Sequence, residues 1–458
     1  MKSIQDKCGV FGLYSNTECI QDIYQGIDFL QHRGQDYCGI ATYDGHIHQV
    51  THYGKVGNSF TDQDLAYLNG TRGIGHVSLS ERQPVMWQSR HGEIAVAFSG
   101  NIINGDELRR EMMGQGKAFY RGYDIEVISK IILQEEDPVT GISNLAEKVR
   151  GAYSVVVLFK DGIYAARDIY GFRPLIMGKG PDRYVVSSES RAIQNLGMEV
   201  VRDVRPGEIV LINDTGFHTL RQLDSPRRAY CAFEWAYIAS IDSIVDGVYV
   251  QEARNNIGAC LAERDREEGG FEADVVAPVP MSGIGYAIGY HSRSKLNYQE
   301  VFLYNRYADR SYTQSTQIAR EKMAKRKLSV IHHAVKGQRI VLCDDSIVRG
   351  TQIYYKVRDL KKAGAKEVHV RIACPPLMYP CDFGISTRSY EELSARKHIP
   401  TGNIISTEEL RDLENEIAEQ IGADSLKYNR LDDFVTALGI PKGDLCLKCW
   451  NGDMPIKD

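Results

Sequence analysis

The sequence predicts two consecutive domains: an α+β first half built on antiparallel sheets with a few helices, then an α/β second half built on a parallel sheet. Three observations lead there. From about Cys8 to Leu223 the apolar runs are short and separated by turn pairs. From about Asp274 they become solid and strand-like, with helical stretches following or lying between them. The two textures meet at Asp224-Ser225-Pro226-Arg227-Arg228, a polar, proline-containing break of the kind that marks a boundary. The expected domains are therefore 8–226 and 227–458, with 1–7 standing apart.

In the first half, residues 154–159, the turn Lys160-Asp161-Gly162 and residues 163–166 read as one β-hairpin. Residues 208–213, Asp214-Thr215-Gly216 and 217–220 read as another, and residues 106–113 as a helix. In the second half, 274–278, 300–304, 339–343 and 367–372 are the strand candidates, and 353–363 is helical. Buried strands alternating with helices argue for a parallel sheet. No internal repeat or low-complexity segment interrupts either half.

The 458 residues suit two or three domains at roughly 150 residues each, with cores large enough to need no staple. A net charge of −5 gives no support to a nucleic-acid binder working through a basic surface. No stretch approaches the roughly 18 apolar residues of a membrane span, and residues 1–7 lack a signal-peptide core. A cytoplasmic protein without nucleic-acid or membrane partners is expected. In that reducing setting the ten cysteines do not read as a disulfide framework. Only Cys446 and Cys449, in Cys446-Leu447-Lys448-Cys449, stand at metal-ligand spacing.

The most informative segment is Arg339-Ile340-Val341-Leu342-Cys343-Asp344-Asp345-Ser346-Ile347-Val348-Arg349-Gly350-Thr351. An apolar strand ends in two carboxylates, and a loop with hydroxyls and Gly350 then enters a helix. Backbone N–H groups of such a loop, together with the helix N-terminus, suit a dianionic phosphate. Gly350 permits close backbone approach, and Ser346 and Thr351 supply hydroxyl donors. Asp344 and Asp345, expected at an exposed strand end, suit ribose hydroxyls and Mg²⁺. A plain helix cap beside a solvated acidic pair accounts for Asp-Asp-Ser alone, less well for the whole string.

This string resembles the phosphoribosyl-pyrophosphate (PRPP) signature of type I phosphoribosyltransferases. Two further segments narrow the resemblance to the glutamine PRPP amidotransferase family. Asn305-Arg306-Tyr307-Ala308-Asp309-Arg310, with Gln317, Arg320 and Arg326-Lys327-Leu328, is similar to its flexible catalytic loop. Pro278-Val279-Pro280-Met281-Ser282-Gly283 is similar to its pyrophosphate loop, with Met281 where the family usually has an acid. The resemblance implies that Asp344 and Asp345 hold ribose and Mg²⁺, with Ser282 in the Mg²⁺–pyrophosphate region. It implies that Ser346, Ile347, Val348, Arg349, Gly350 and Thr351 cradle the 5′-phosphate. Arg306, Arg310, Lys325 and Lys327 would close over the departing pyrophosphate while ammonia attacks C1.

The first half resembles the class II, N-terminal-nucleophile glutaminase domain, a sandwich of antiparallel sheets and helices. The matching segments are Cys8-Gly9-Val10-Phe11-Gly12, Leu30-Gln31-His32-Arg33-Gly34-Gln35, Gly73-Ile74-Gly75-His76-Val77 and Gly100-Asn101. The resemblance implies that residues 1–7 are a propeptide whose removal frees the Cys8 amine to activate its own thiol. Gly100 would supply an oxyanion N–H, and Asp124 would bind the glutamine ammonium. Two family elements differ. Ser78 stands where an Arg grips the glutamine α-carboxylate, and Ser99 where an Asn donates to the oxyanion, although a serine hydroxyl is itself a weaker donor. Arg82 and Arg121 are the candidates to replace the missing Arg.

The tail resembles the iron–sulfur branch of the same family, through Pro380-Cys381-Asp382-Phe383-Gly384-Ile385, Ile421-Gly422-Ala423-Asp424-Ser425-Leu426 and the final Cys-x-x-Cys. Its four ligands carry over as Cys231, Cys381, Cys446 and Cys449. Spacing alone leaves a 4Fe–4S cluster and tetrahedral Zn²⁺ both open. Cys343 and Cys374 read as core residues.

The reading is an amidophosphoribosyltransferase activity: 5-phosphoribosylamine from PRPP and an ammonia source, at the entry to purine nucleotide synthesis. PRPP and glutamine or ammonia are the expected small-molecule partners, and a homo-oligomer is expected from the family. Ser78 and Ser99 point to ammonia serving much better than glutamine. Two alternatives stand beside it: a PRPP-dependent paralogue using free ammonia or another amine, and a non-catalytic PRPP- or nucleotide-binding regulator.

Overall fold

Along the strand Gly9–Ser15 successive side chains point to opposite faces, and both faces are apolar. Val10 goes one way and Phe11 and Leu13 the other, all fully buried. A strand covered on both sides must be sandwiched. The computed structural model, which describes residues 8–305, 328–385, 387, 389–399 and 406–456, builds that sandwich from two antiparallel sheets. The first has seven strands, in the order Glu199–Asp203, Ile176–Gly180, Arg183–Ser187, Gly9–Ser15, Arg72–Ser78, Tyr37–Tyr43, Ile47–Tyr53. The second has six: Gly216–Gln222, Glu208–Asn213, Gly162–Arg167, Gly151–Phe159, Gly92–Ile102, Val85–Ser89. Val10, Ala41 and Ile74 meet Ala95, Ala97, Val156 and Leu158 between them. The helix Ile20–Phe29 covers Phe11 and Leu13 on one outer face. The helices Asp124–Ile132 and Pro138–Lys148 cover Ile94, Val96 and Phe98 on the other. Both hairpins expected from the sequence are present.

The second half holds a five-stranded parallel sheet in the order Asn297–Tyr298, Val275–Pro278, Arg339–Asp344, Glu367–Ile372, Ser425–Tyr428. Alternation sorts its faces as well. Ile340 and Leu342 pack with Ile353, Val357, Leu360, Leu413 and Ile417 of the helices Thr351–Lys362 and Thr407–Ile421. Val341 and Cys343 pack with Ile257, Leu261, Tyr286 and Tyr290 of Val250–Glu267 and Ile284–Ser294. One expectation is corrected. The run 300–304 does not join this sheet; Phe302–Tyr304 pairs antiparallel with Leu328–Val330 in a separate ribbon. Leu303 there is 59% exposed, so the apolar run is wet on one face.

A buried ionic chain ties the two halves. His32 and Arg33 Nε each meet Glu189 Oε1 at 2.7 Å. Arg33 also pairs with Glu234, which accepts from Arg173 Nη1 at 3.0 Å. Arg173 Nη2 donates to the carbonyls of Phe383 (2.9 Å) and Gly384 (2.6 Å). Burial raises the Glu189 carboxyl, but His32 and Arg33 overcome it and hold the group down at about 2. Every charge in this chain has a partner, which buried charges require.

Candidate active site

Strand Arg339–Asp344 runs into the phosphate-type loop with Asp344 and Asp345 only 5% and 8% exposed. This corrects the expectation of an exposed strand end: neighbouring segments close over both carboxylates. Asp344 Oδ1 accepts from Ser282 Oγ at 2.9 Å and from the Asp345 N–H at 3.0 Å. Asp344 Oδ2 accepts from Lys356 Nζ at 2.8 Å. Asp345 Oδ1 accepts from Ser346 Oγ at 2.7 Å. Burial first, then the neighbouring Asp344 charge, pushes the Asp345 carboxyl up to about 6.

The loop itself is braced. Ile347 is buried in the core beside Ile353, so its side chain anchors the loop rather than meeting a ligand. The Val348 carbonyl accepts from Ser394 N–H at 2.7 Å, and Arg349 pairs with Glu392 at 2.6 Å. Gly350 sits at φ +77°, the left-handed region, and directly precedes the helix that starts at Thr351. The structure thus brings Ser282, Asp344, Asp345 and the loop 346–351 together. Met281, in the neighbouring loop, is 63% exposed. Arg306, Arg310 and Lys327 lie outside the described residues.

In the first half, the register that sets Gly9 against Val77 carries Cys8 toward Ser78. Cys8 is 2% exposed, and its carbonyl accepts from Ser99 Oγ at 2.7 Å. That bond engages the hydroxyl expected to serve as a weak oxyanion donor. Gly100 has φ +153°, and a Cβ there would lie 1.9 Å from the Ala152 carbonyl oxygen, so only glycine fits. Ser78 Oγ accepts from the N–H groups of Ser80 (2.9 Å) and Glu81 (3.0 Å). Asp124 opens its helix, 1% exposed, and its Oδ2 accepts from the Ile102 N–H at 3.3 Å. Its own N–H donates at 2.9 Å to Oε1 of Glu81, a second buried carboxylate in the pocket.

The two arginines that could replace the missing one each lie over aromatic rings. Arg82 lies over the Tyr37 ring at 5.9 Å, and Arg121 over the Tyr120 and Tyr123 rings at 5.2 and 5.9 Å. Arg109, on the helix Gly105–Gly114, places Nη2 3.7 Å from Asp124 Oδ1.

The four tail-related cysteines are all buried and unpaired by disulfides. Cys231 and Cys446 face each other on the paired strands Tyr230–Cys231 and Leu445–Cys446. Cys381 shares a hydrogen bond with Cys449, and that bond with the Phe383 N–H 3.3 Å from its sulfur brings the Cys381 thiol down to about 7. Burial pushes Cys231 up to about 12. Cys231 and Cys446 in turn feel the Cys381 sulfur. Among the described residues, no three His, Cys, Asp or Glu side chains converge on a point that would hold one metal ion. Asn101, next to Gly100, donates from Nδ2 to the Asp382 carbonyl at 2.7 Å, joining this thiol site to the first-half pocket. Cys343 and Cys374 are core residues.

Sequence reasoning missed Lys356, Glu81, Arg109 and the brace at Glu392 and Ser394. Lys356 alone left a signal: Ile353, Lys356, Val357 and Leu360 fall at i, i+3, i+4 and i+7, so a lysine occupies a slot on the apolar stripe.

A glutamine amidotransferase domain model matches residues 73–195. The chain is 40% identical to the amidophosphoribosyltransferase of Archaeoglobus fulgidus, covering 98% of each. It is 35% identical to that of Bacillus subtilis, over the whole of this chain and 96% of the other. The structure of glutamine PRPP amidotransferase from B. subtilis, complexed with ADP and GMP, superposes with a TM-score of 0.88 at 35% identity, covering 98% of this chain and 97% of that one.

Proposed function

The chain belongs to the amidophosphoribosyltransferase family, and from that premise we propose how its residues carry the reaction. The activity is pentosyl transfer from PRPP to ammonia, giving 5-phosphoribosylamine and pyrophosphate at the first step of purine nucleotide synthesis. The observation that carries the site assignment is the buried Asp344–Asp345 pair ahead of a braced loop and a helix N-terminus. In the proposed complex the N–H groups of 346–351 and the Ser346 and Thr351 hydroxyls hold the 5′-phosphate. Asp345 and Asp344 take the ribose hydroxyls. Arg306, Arg310 and Lys327 enter the proposal on sequence grounds alone, as cations over the leaving pyrophosphate.

The family implies Mg²⁺ here, and the donors fit it. Two carboxylates and the Ser282 hydroxyl, oxygen ligands only, suit a hard divalent cation. When bound, Mg²⁺ neutralises charge on the pyrophosphate. The protein's own part is to hold C1 open to attack on one side and the leaving group fixed on the other.

The nitrogen source we propose is free ammonia in preference to glutamine. Cys8, Gly100 and Asp124 are retained as nucleophile, oxyanion donor and ammonium partner. The position that would grip the carboxylate end of glutamine holds Ser78 in place of an arginine, and Glu81 adds negative charge beside Asp124. Residues 1–7 remain a proposed propeptide.

The family's iron–sulfur branch fits the thiols: four buried cysteines, two paired across neighbouring strands and two sharing a hydrogen bond, with an N–H on one sulfur and Arg173 nearby. Cys231, Cys381, Cys446 and Cys449 would hold a 4Fe–4S cluster, which spreads its thiolates wider than a single ion would, and whose chemistry here is structural cross-linking. We place the domain boundary between 226 and 227. A cytoplasmic homo-oligomer completes the proposal; no helix among the described residues is long and apolar enough to cross a membrane. Pyrophosphate release from PRPP with ammonia, with glutamine or with neither tests the function, and sedimentation tests the assembly.

A further inference from the structure

The helix Thr351–Lys362 packs on the parallel sheet through Ile353, Val357 and Leu360, all buried. Lys356 shares that stripe, and its side chain is only 14% exposed. An apolar residue would pack there without needing a partner, whereas a lysine must find one or be left as a costly buried charge. The partner it finds is Asp344 Oδ2, at 2.8 Å. With Ser282 and the Asp345 N–H on Oδ1, three donors converge on this one carboxylate. Asp345 accepts from the Ser346 hydroxyl and also draws on Ser282, while Lys356 reaches it only through space. The two adjacent acids are thus unequal: one is paired directly with a lysine of the protein, the other is not.

We propose that Lys356 is a built-in cation of the PRPP site, a positioning residue that holds the Asp344 carboxylate aimed. It offsets the repulsion between the two adjacent carboxylates at low Mg²⁺, when no metal ion sits on Asp344. Asp345 is thereby left as the carboxylate that answers to the ligand. The inference rests on the assignment of PRPP to this loop. Its consequence concerns metal dependence. An ammonium fixed at Asp344 supplies at low Mg²⁺ a charge that the site would otherwise draw from solution. Removing it makes PRPP binding more dependent on free Mg²⁺, because a second cation can then settle at the vacated carboxylate.

The test is calorimetric titration of the intact protein with PRPP across a range of free Mg²⁺, for wild type, Lys356→Met and Lys356→Arg. Methionine suits the apolar stripe and is unbranched like lysine, one atom shorter. At low Mg²⁺, Lys356→Met is expected to bind PRPP about 10- to 100-fold more weakly, the range of one charge-assisted hydrogen bond. The gap should narrow as Mg²⁺ rises, and Lys356→Arg should stay close to wild type. Equal affinity in Lys356→Met and wild type at every Mg²⁺ concentration would overturn the inference. So would an equal loss at every concentration, which is the mark of a merely structural lysine. If Lys356→Met fails to fold, Lys356→Arg decides: a wild-type Mg²⁺ profile supports the inference, and loss of binding overturns it. Wild-type protein that binds no PRPP at any Mg²⁺ concentration would instead bring down the underlying assignment, and this inference with it.

Discussion

Replacing Cys8 with alanine separates the two nitrogen sources. A glutaminase needs a nucleophile, an oxyanion hole and a grip on both ends of the amino acid. Ser78 cannot form the charge-assisted pair that an arginine forms with an α-carboxylate, a loss of about 1.5–3 kcal/mol. Its oxygen is already engaged by the N–H groups of Ser80 and Glu81. An asparagine donor missing from the oxyanion hole is a further 10²–10³ in rate, about 2.7–4 kcal/mol. Ser99 does not make it good, because its hydroxyl is given to the Cys8 carbonyl at 2.7 Å. Arg109 is drawn to Asp124 at 3.7 Å. The two losses act on different parts of the reaction and add to about 4–7 kcal/mol, or 10³–10⁵ in efficiency. Phosphoribosylamine formation from PRPP, assayed with equal concentrations of ammonia and glutamine, should therefore favour ammonia strongly. Cys8→Ala should leave the ammonia-dependent rate nearly unchanged. Glutamine-dependent turnover that matches the ammonia rate and disappears in Cys8→Ala would refute the reasoning.

Two further outcomes follow from the same geometry. Anaerobically purified protein should carry about four irons per chain, and replacing any of Cys231, Cys381, Cys446 or Cys449 by serine should impair folding, since metal binding is then part of folding free energy; stoichiometric zinc without iron would contradict the cluster. His76 is fully buried, its Nε2 lies 3.1 Å from the Phe98 carbonyl and its Nδ1 has no hydrogen-bond partner among the described residues, so burial brings its pKa down to about 3 from 6.5. A depressed folded-state value means stability is fully present above 6.5 and falls as the pH drops: about 2 kcal/mol should be lost by about pH 5. In His76→Gln, whose amide can keep the bond to Phe98 but does not titrate, the fall in denaturant midpoint over that interval should be smaller; an unchanged slope would assign the effect elsewhere.

Much of this was legible in the residues because strand periodicity and turn chemistry are local. Lys160-Asp161-Gly162 and Asp214-Thr215-Gly216 marked both hairpins, and the change from short to solid apolar runs separated antiparallel from parallel sheets. The run 300–304 misled because an apolar string does not say whether a second sheet or solvent lies above it. The loop after Asp345 was readable for the same local reason, its N–H groups, hydroxyls and glycine being consecutive. The burial of Asp344 and Asp345 was not, because it depends on Ser282, 62 residues away, and on a helix face. Glu81 against Asp124 spans 43 residues and Asn101 against Asp382 spans 281. Such pairs exist only once the sheets have stacked. Lys356 lies between these cases: the stripe showed a charge out of place, but its partner had to come from the fold.

The central claim is that PRPP is turned over at the Asp344–Asp345 loop. Its most direct test is ammonia-dependent pyrophosphate release by wild type and Asp345→Asn. Asparagine at 345 leaves the Lys356–Asp344 pair in place, and it removes a carboxylate that burial and Asp344 already push up to about 6, so folding should be undisturbed. The expected result is release by wild type only when ammonia is present, and a near-complete loss in an Asp345→Asn protein of unchanged thermal stability. No ammonia-dependent release by wild type, or equal release by the folded variant, would contradict it.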